Sequence, residues 1–358
     1  MFTSRRWFER WLGSFGGDGA GWWRPPGPAQ IALPHVIKAH RIGPVSIRVA
    51  WGAANFHSPR FDACGSRPPT AEDLRRMMSE LDVSMLVFPL LSKESLIGRA
   101  FAGPMPGLWW YRDFCEAAPY VDCAGAWDAY LATRGRTRKR TWVSLDRQAA
   151  SAGMSIEVLS TWDDIDRHFD QMLAVEASGW KGRLGSSIVQ SPHVHRFYEE
   201  FCRDFAAAGA LRVFLLRRDD RIVAFQICAL EQGVLTGLKS GYLEEHAKDS
   251  PGQILHLNIV RWAFAQPDVR AYDMLGPASA MKMKWATGID ELSTIYVFRR
   301  RPGGAVARLR WQIFPFLRSW LAGGKRRLAE NGGDEAADAG AADRATGDSS
   351  RAPREERG

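Results

Sequence analysis

Between residues 211 and 242 three apolar segments, 211–217, 221–230 and 234–242, are separated by the short polar breaks Asp219-Asp220 and Glu231-Gln232-Gly233. Strands this close in sequence pair with their neighbours, and Asp and Gly suit the tight turns between them, so the stretch predicts an antiparallel meander. The third strand ends in Leu238-Lys239-Ser240-Gly241-Tyr242; after an acidic loop, Ser250-Pro251-Gly252-Gln253-Ile254-Leu255 opens an apolar helix that runs to about Ala265. Pro supplies the fixed φ of a first helical turn, Ser is a good N-cap, and Gly lets a ligand approach N–H groups that have no intrahelical acceptor. Such an end suits a pyrophosphate, although plain capping uses the same residues.

The rest of the second half reads as a strand over 155–159, an amphipathic helix over 162–176, a helix over 193–208 with Phe197, Tyr198, Phe201 and Phe205 at helical spacing, and strands over 269–275 and 294–299. The first half is less periodic. Residues 1–30 are rich in Gly, Trp and Arg and end in Pro25-Pro26-Gly27-Pro28, which predicts a flexible leader able to touch a membrane face or a partner. A helix is expected near 73–81, a strand over 84–91, loops around Trp109-Trp110-Tyr111 where Pro104, Pro106 and Pro119 fall, and a helix over 126–145 with Arg134, Arg136, Arg138, Lys139 and Arg140 on its polar side.

With 358 residues and 46% hydrophobic content the chain can bury two cores of ordinary size. Its net charge of +8 is local: nine Arg or Lys and no acidic residue fall between Arg299 and Arg327. No basic stripe recurs elsewhere, which argues against a nucleic-acid binder. The run 305–321 predicts a basic amphipathic helix, suited to an anionic membrane surface or to docking on the protein's own core. Residues 331–358 lack apolar periodicity and are expected to be disordered. Five scattered cysteines without a CxxC pair read as free thiols of a cytoplasmic protein, and no His/Cys spacing suggests a metal. Nor does any segment have the h-region of a secretory signal, a Walker A loop, a GxGxxG after a strand or a Gly-x-Ser-x-Gly elbow.

The element order β-α-α-β-β-β-α-β-β, together with Trp180-Lys181-Gly182, Ser191-Pro192, Lys239-Ser240-Gly241-Tyr242, Ser250-Pro251-Gly252, Tyr272-Asp273-Met274-Leu275-Gly276 and Lys282-Met283-Lys284-Trp285, resembles the acetyltransferase domain of the Gcn5-related N-acetyltransferase (GNAT) superfamily. The nearest resemblance is to the cellulose- and exopolysaccharide-biosynthesis group, itself related to FemAB-type transferases with two such domains in tandem. It implies an α/β (α+β) fold with a mixed, mostly antiparallel sheet flanked by helices, a degenerate first copy over 31–143, an acetyltransferase domain over 144–301, a basic helix over 302–330 and a tail over 331–358.

It also implies acetyl-CoA held by Leu238, Lys239, Ser240, Ser250, Pro251, Gly252, Gln253 and Ile254. The superfamily's usual Arg/Gln-x-x-Gly-x-Gly/Ala turn is absent, so backbone N–H groups at Ser250-Pro251-Gly252 would have to cradle the phosphates. Direct acyl transfer needs a base and an oxyanion donor. Asp273 is the first candidate base, or else a partner of Lys282; Glu176, beside the Ser178–Lys181 loop, is the second. Lys282 is expected to pair with Asp273 or to bind an acidic group. Trp180, Lys181, Tyr242 and Trp285 are expected around the acceptor, an amine or hydroxyl of a cell-surface polysaccharide pathway. His256, one turn into the helix, could face the cleft. Aminoacyl transfer from a charged tRNA and a non-catalytic scaffold at the inner membrane face are the alternatives.

Overall fold

The computed structural model describes residues 4–27, 30–179 and 187–314. Twelve strands among them form one mixed sheet: β1 (Ala20–Trp23), β2 (Ile31–Ile42), β3 (Val45–Gly52), β4 (Cys64–Gly65), β5 (Met85–Leu91), β6 (Leu108–Asp122), β7 (Met154–Leu159), β8 (Leu211–Arg218), β9 (Arg221–Glu231), β10 (Val234–Tyr242), β11 (Ala271–Asp273) and β12 (Gly288–Arg299). The predicted meander is present as β8-β9-β10. Its turns place Asp219, Gln232 and Gly233 at positive φ, where short polar residues and glycine are the tolerated choices. The helices Trp162–Ala177 and Pro192–Ala207 bury the predicted apolar faces, and Phe197, Phe201 and Phe205 are fully enclosed.

The strand order β1-β2-β3-β5-β12-β6-β11-β10-β9-β8-β7 reads alike from either side of its centre. On one side β3 runs parallel to β5, on the other β10 runs parallel to β11, and the central β12 and β6 are antiparallel. A helix connects each parallel pair, Ala71–Glu80 in the first half and Pro251–Ala265 in the second. Each half therefore sends its last long strand into the other: β6 lies against β11, and β12 lies against β5. The boundary expected between residues 143 and 144 falls inside a single helix, Arg136–Ser151.

The first half departs most from expectation. The expected loops around Trp109–Tyr111 are strand β6, which continues through Pro119. Proline lacks the N–H a ladder uses, but its carbonyl still accepts from Met274 N–H. The single helix expected over 126–145 is two, Trp127–Ala132 and Arg136–Ser151, separated at Gly135.

The N-terminal segment is folded rather than a flexible leader. Helix Arg5–Trp11 buries Trp7 and Phe8 completely, and β1 pairs with β2. Trp7 stacks edge-on against Phe197 and Phe201 and donates its indole N–H to Ser58 Oγ at 2.8 Å. Trp11 donates to Asn55 Oδ1, and Arg10 pairs with Glu200 and Asp204. The Trp/Arg content that suggested a membrane or a partner is thus used internally, because burial of this much aromatic area outweighs the cost of ordering the segment.

Residues 305–358 form a separate unit, of which 305–314 is described: the end of helix Pro302–Arg308 and a π-turn, Leu309–Ile313. The remainder of the predicted basic helix and the tail lie outside the described residues. No helix among the described residues is long and apolar enough to cross a membrane.

Candidate functional site

β10 and β11 pair for only three residues, from Val234↔Ala271 to Thr236↔Asp273, and then part. Just past that point β10 shifts register against β9 between Gly237 and Lys239, leaving Leu238 without a partner in the ladder. Two cavities open where the strands part. The first, of about 410 Å³, is lined by Ser240, Gly241, Tyr242 and the turn Ser250–Gln253. The second, of about 300 Å³, lies between the halves, with Asn55, Phe56 and Glu116 from one and Leu238, Lys239 and Lys282 from the other. They meet at four shared residues, Gln226, Ser240, His256 and Met281. A long ligand entering the first cavity can thus present its end to a second molecule in the other.

The two symmetry-related helices differ at their N-termini. Ala71–Glu80 is closed by a capping box: Thr70 Oγ1 accepts from Asp73 N–H while Asp73 accepts from Thr70 N–H. Burial pushes the Asp73 carboxyl up, but hydrogen bonds from Arg67 and Thr70 outweigh it and hold the group below the usual carboxylate range. That end already carries its own anion. Thr70→Ala is expected to destabilise the chain by about 1 kcal/mol, seen as a lower urea midpoint at unchanged slope; an unmoved midpoint contradicts the capping role.

Pro251–Ala265 is open. Ser250 was expected to cap it, but Ser250 is left-handed at φ 51° and makes no side-chain capping bond. Only its carbonyl is used, accepting from Gln253 and Ile254 N–H. Pro251 has no N–H, and Gly252 N–H has no carbonyl one turn back within the helix. A Cβ on Gly252 would meet nothing closer than Tyr242 Cδ1 at 3.5 Å, so its space faces the cavity rather than packed protein. This is the geometry an anion needs.

Of the residues predicted to hold the donor, Ser240, Ser250, Pro251, Gly252 and Gln253 line the first cavity. Leu238 and Lys239 line the second instead, and Ile254 is 1% exposed and points into the core. Tyr242, expected around the acceptor, lines the first cavity and not the second. Trp285 is no acceptor platform: it is 2% exposed and stacks on Trp142 at 4.5 Å, in a group with His256. Trp180 and Lys181 lie outside the described residues.

The candidate bases are tied. Asp273 lines neither cavity; its Oδ2 is ion-paired with Arg60 Nε at 2.8 Å and its Oδ1 accepts from Leu275 N–H at 2.9 Å. Arg60 also holds Asp290, and Lys282 is not the partner of Asp273. The Lys282 ammonium donates to the carbonyls of Leu275, Gly276 and Pro277, and burial pushes its pKa down. Glu176 is buried against Lys239, Nζ to Oε1 2.9 Å, and its Oε2 accepts from Ile188 N–H at 2.8 Å. Asp273→Asn is expected to cost about 2 kcal/mol, because Arg60 keeps only Asp290, with unchanged acetyl-CoA affinity. Thermal unfolding and calorimetry check both parts.

Residues 135–283 match the family model of the acetyltransferase (GNAT) domain. Those residues form a GNAT-type domain. The match begins at the helix Arg136–Ser151 and covers the meander, the open helix and the Lys282 segment. A comparison with curated protein sequences finds no match. Among solved structures the chain is similar to a conserved protein of unknown function from Bacteroides thetaiotaomicron (10% identity, 84% of this chain and 92% of that one, TM-score 0.55). It is also similar to the C-terminal domain (DUF2156) of a protein named as a lysylphosphatidylglycerol synthetase from Agrobacterium fabrum (13%, 85% and 90%, TM-score 0.53). FemX is a third (10%, 83% and 91%, TM-score 0.52). At such identities these likenesses bear on the fold, and they extend it over the first half as well.

The GNAT domain's cleft contains two groups that carried no local signal in the sequence or only a faint one. Glu116 reaches the second cavity on β6, a strand from outside the matched residues. His256 lines both cavities, is 5% exposed, and its Nε2 has no hydrogen-bond partner. Burial, reinforced by Lys282, pushes its pKa down to about 3, so the ring is neutral at pH 7. Its position one turn into the helix was the only sign of it.

Proposed function

We propose that this chain transfers an acyl group from an acyl-CoA, in the first instance acetyl-CoA, to an acceptor in the second cavity. The supporting observation is the open N-terminus at Ser250-Pro251-Gly252, in the larger cavity, beside a symmetry-related helix whose N-terminus is closed by Asp73. The pyrophosphate would lie against Gly252 N–H and the pantetheine arm along β10. The thioester would then reach the register shift at Leu238, where backbone outside the ladder is free to polarise its carbonyl. The acceptor is an amine or hydroxyl, in a cell-surface polysaccharide pathway by family analogy, and the site is cytoplasmic. Calorimetry of the full chain with acetyl-CoA tests the donor; absence of saturable binding overturns it.

Aminoacyl transfer from a charged tRNA is the second reading. It is favoured by the fold likeness to FemX and to the lysylphosphatidylglycerol synthetase domain, and by Arg136, Lys139 and Arg140, all exposed on one helix. Salt-dependent tRNA binding without acetyl-CoA binding would put it first. Peripheral membrane contact through 305–321 is a further expectation, measured as liposome binding lost on removing residues 303–358.

A further inference from the structure

Phe56 of the first half lines the second cavity and is nevertheless 77% exposed. Its ring is presented by a locked turn, Asn55 to Ser58, whose ends form a bridge. Asn55 Oδ1 accepts from the N–H groups of His57 and Ser58 and from Trp11 Nε1, while Ser58 is fully buried and accepts from Trp7. Turn tips favour glycine and short polar residues. An aromatic ring held rigidly in water at such a tip is suited to a contact that the free chain does not make. Met281, on the short helix Ala280–Met283, is a second exposed apolar residue of the lining, at 40%. Its unbranched thioether adapts to varied apolar shapes.

The cavity wall points the same way. Leu90 and Leu275, one from each half, both line it and both are left-handed, at φ 54° and 57°. Glycine or asparagine takes that conformation at less cost than leucine. Leu275 is also a core residue, which offsets its strain, but Leu90 is only partly buried. Strain of this kind persists where a site uses the side chain. The apolar part also has a fixed place relative to the donor. Gln226, Ser240, His256 and Met281 line both cavities, whereas Phe56 and Leu90 line only the second. An acceptor that reacts at the shared residues therefore extends its remainder toward Phe56 and Leu90. The cations of the lining are tied, Lys239 to Glu176 and Lys282 to three carbonyls, so neither offers its charge to an anionic tail.

We infer that the acceptor is amphiphilic: its nucleophile lies where the cavities meet, and an alkyl or aryl group, lipid-borne or free, packs on Phe56, Met281 and Leu90. The place of the nucleophile rests on the acyl-CoA reading; the apolar contact does not.

The test is calorimetry on the full-length chain with octyl β-glucoside and methyl β-glucoside, both below the micelle concentration. Wild type is expected to bind the octyl compound about tenfold to a hundredfold more tightly, as partial burial of the longer chain gives. Phe56→Ser should lose about tenfold of the octyl affinity and keep its unfolding temperature and its acetyl-CoA affinity, because the ring is exposed. Leu90→Asn should also weaken octyl binding, without lowering the unfolding temperature. Equal affinity for the two glucosides, no octyl binding, or octyl binding unchanged in Phe56→Ser or in Leu90→Asn overturns the inference. Octyl binding that needs Phe56, in a chain that does not bind acetyl-CoA, overturns the donor reading alone. Co-sedimentation with phosphatidylcholine vesicles separates the two sources: retention that needs Phe56 assigns the apolar group to a membrane lipid, and its absence to a free amphiphile.

Discussion

Gly252→Trp should lower acetyl-CoA affinity about a hundredfold or more, roughly 3 kcal/mol of binding free energy, while the chain folds as before. Gly252 is in a right-handed helical turn, so no backbone strain accompanies a side chain there. The nearest atom to its added Cβ would be at ordinary contact distance. An indole at that position points into the donor cavity and covers the N–H groups proposed to meet the pyrophosphate. Equal affinity in the two proteins, measured by calorimetry, would remove the phosphate site from this helix. A fall in unfolding temperature together with affinity would mean that Gly252 serves packing instead.

Lys239→Met carries the largest expected cost in stability. Lys239 and Glu176 are 5% and 0% exposed at the side chain, so the pair is dry. Methionine keeps the length of the stem and removes the charge, leaving the Glu176 carboxylate buried with its Ile188 N–H bond but without its ammonium. Losing one partner of a buried pair costs about 3–5 kcal/mol, whereas neutralising both is close to neutral. The double variant Lys239→Met/Glu176→Gln should therefore recover most of the loss in a urea titration. If the double variant is no more stable than the single one, the pair is not the source of the effect. The pair sits where the helix Trp162–Ala177 meets β10, so its restoration should also restore acetyl-CoA binding.

The second half could be read from its sequence because its signals are local. A turn at Asp219, an apolar period of 3.6 and a Pro at the first turn of a helix each act over a few residues, and they place β8, β9, β10 and the Pro251–Ala265 helix to within a residue or so. β6 gave the opposite impression, since Pro119 marks a loop in most contexts; here two neighbouring strands hold it in the ladder. The turn at Ser250-Pro251-Gly252 was recognisable for the same local reason. The surroundings of Asp273 were not. Asp273 has the right residue type on the right strand, but its charge is answered by Arg60, a residue more than two hundred positions earlier. Glu116 has no motif around it and acquires meaning only because β6 crosses into the other half. Trp180 and Trp285 could not be ranked among fifteen tryptophans, and stacking on Trp142 settles Trp285 as core.

The crossed strands also govern how the chain must be born. β5 and β6 are neighbours in sequence, yet β12, completed only at Arg299, has to lie between them. Until β12 has left the ribosome β5 shows a bare edge, and β6 lacks both of its partners until β11 is made and one of them until β12 is. Contacts that span so much sequence form slowly, and unpaired edges recruit other chains in the interval. Truncation before β12 should therefore yield aggregation-prone protein from both halves rather than an intact first half.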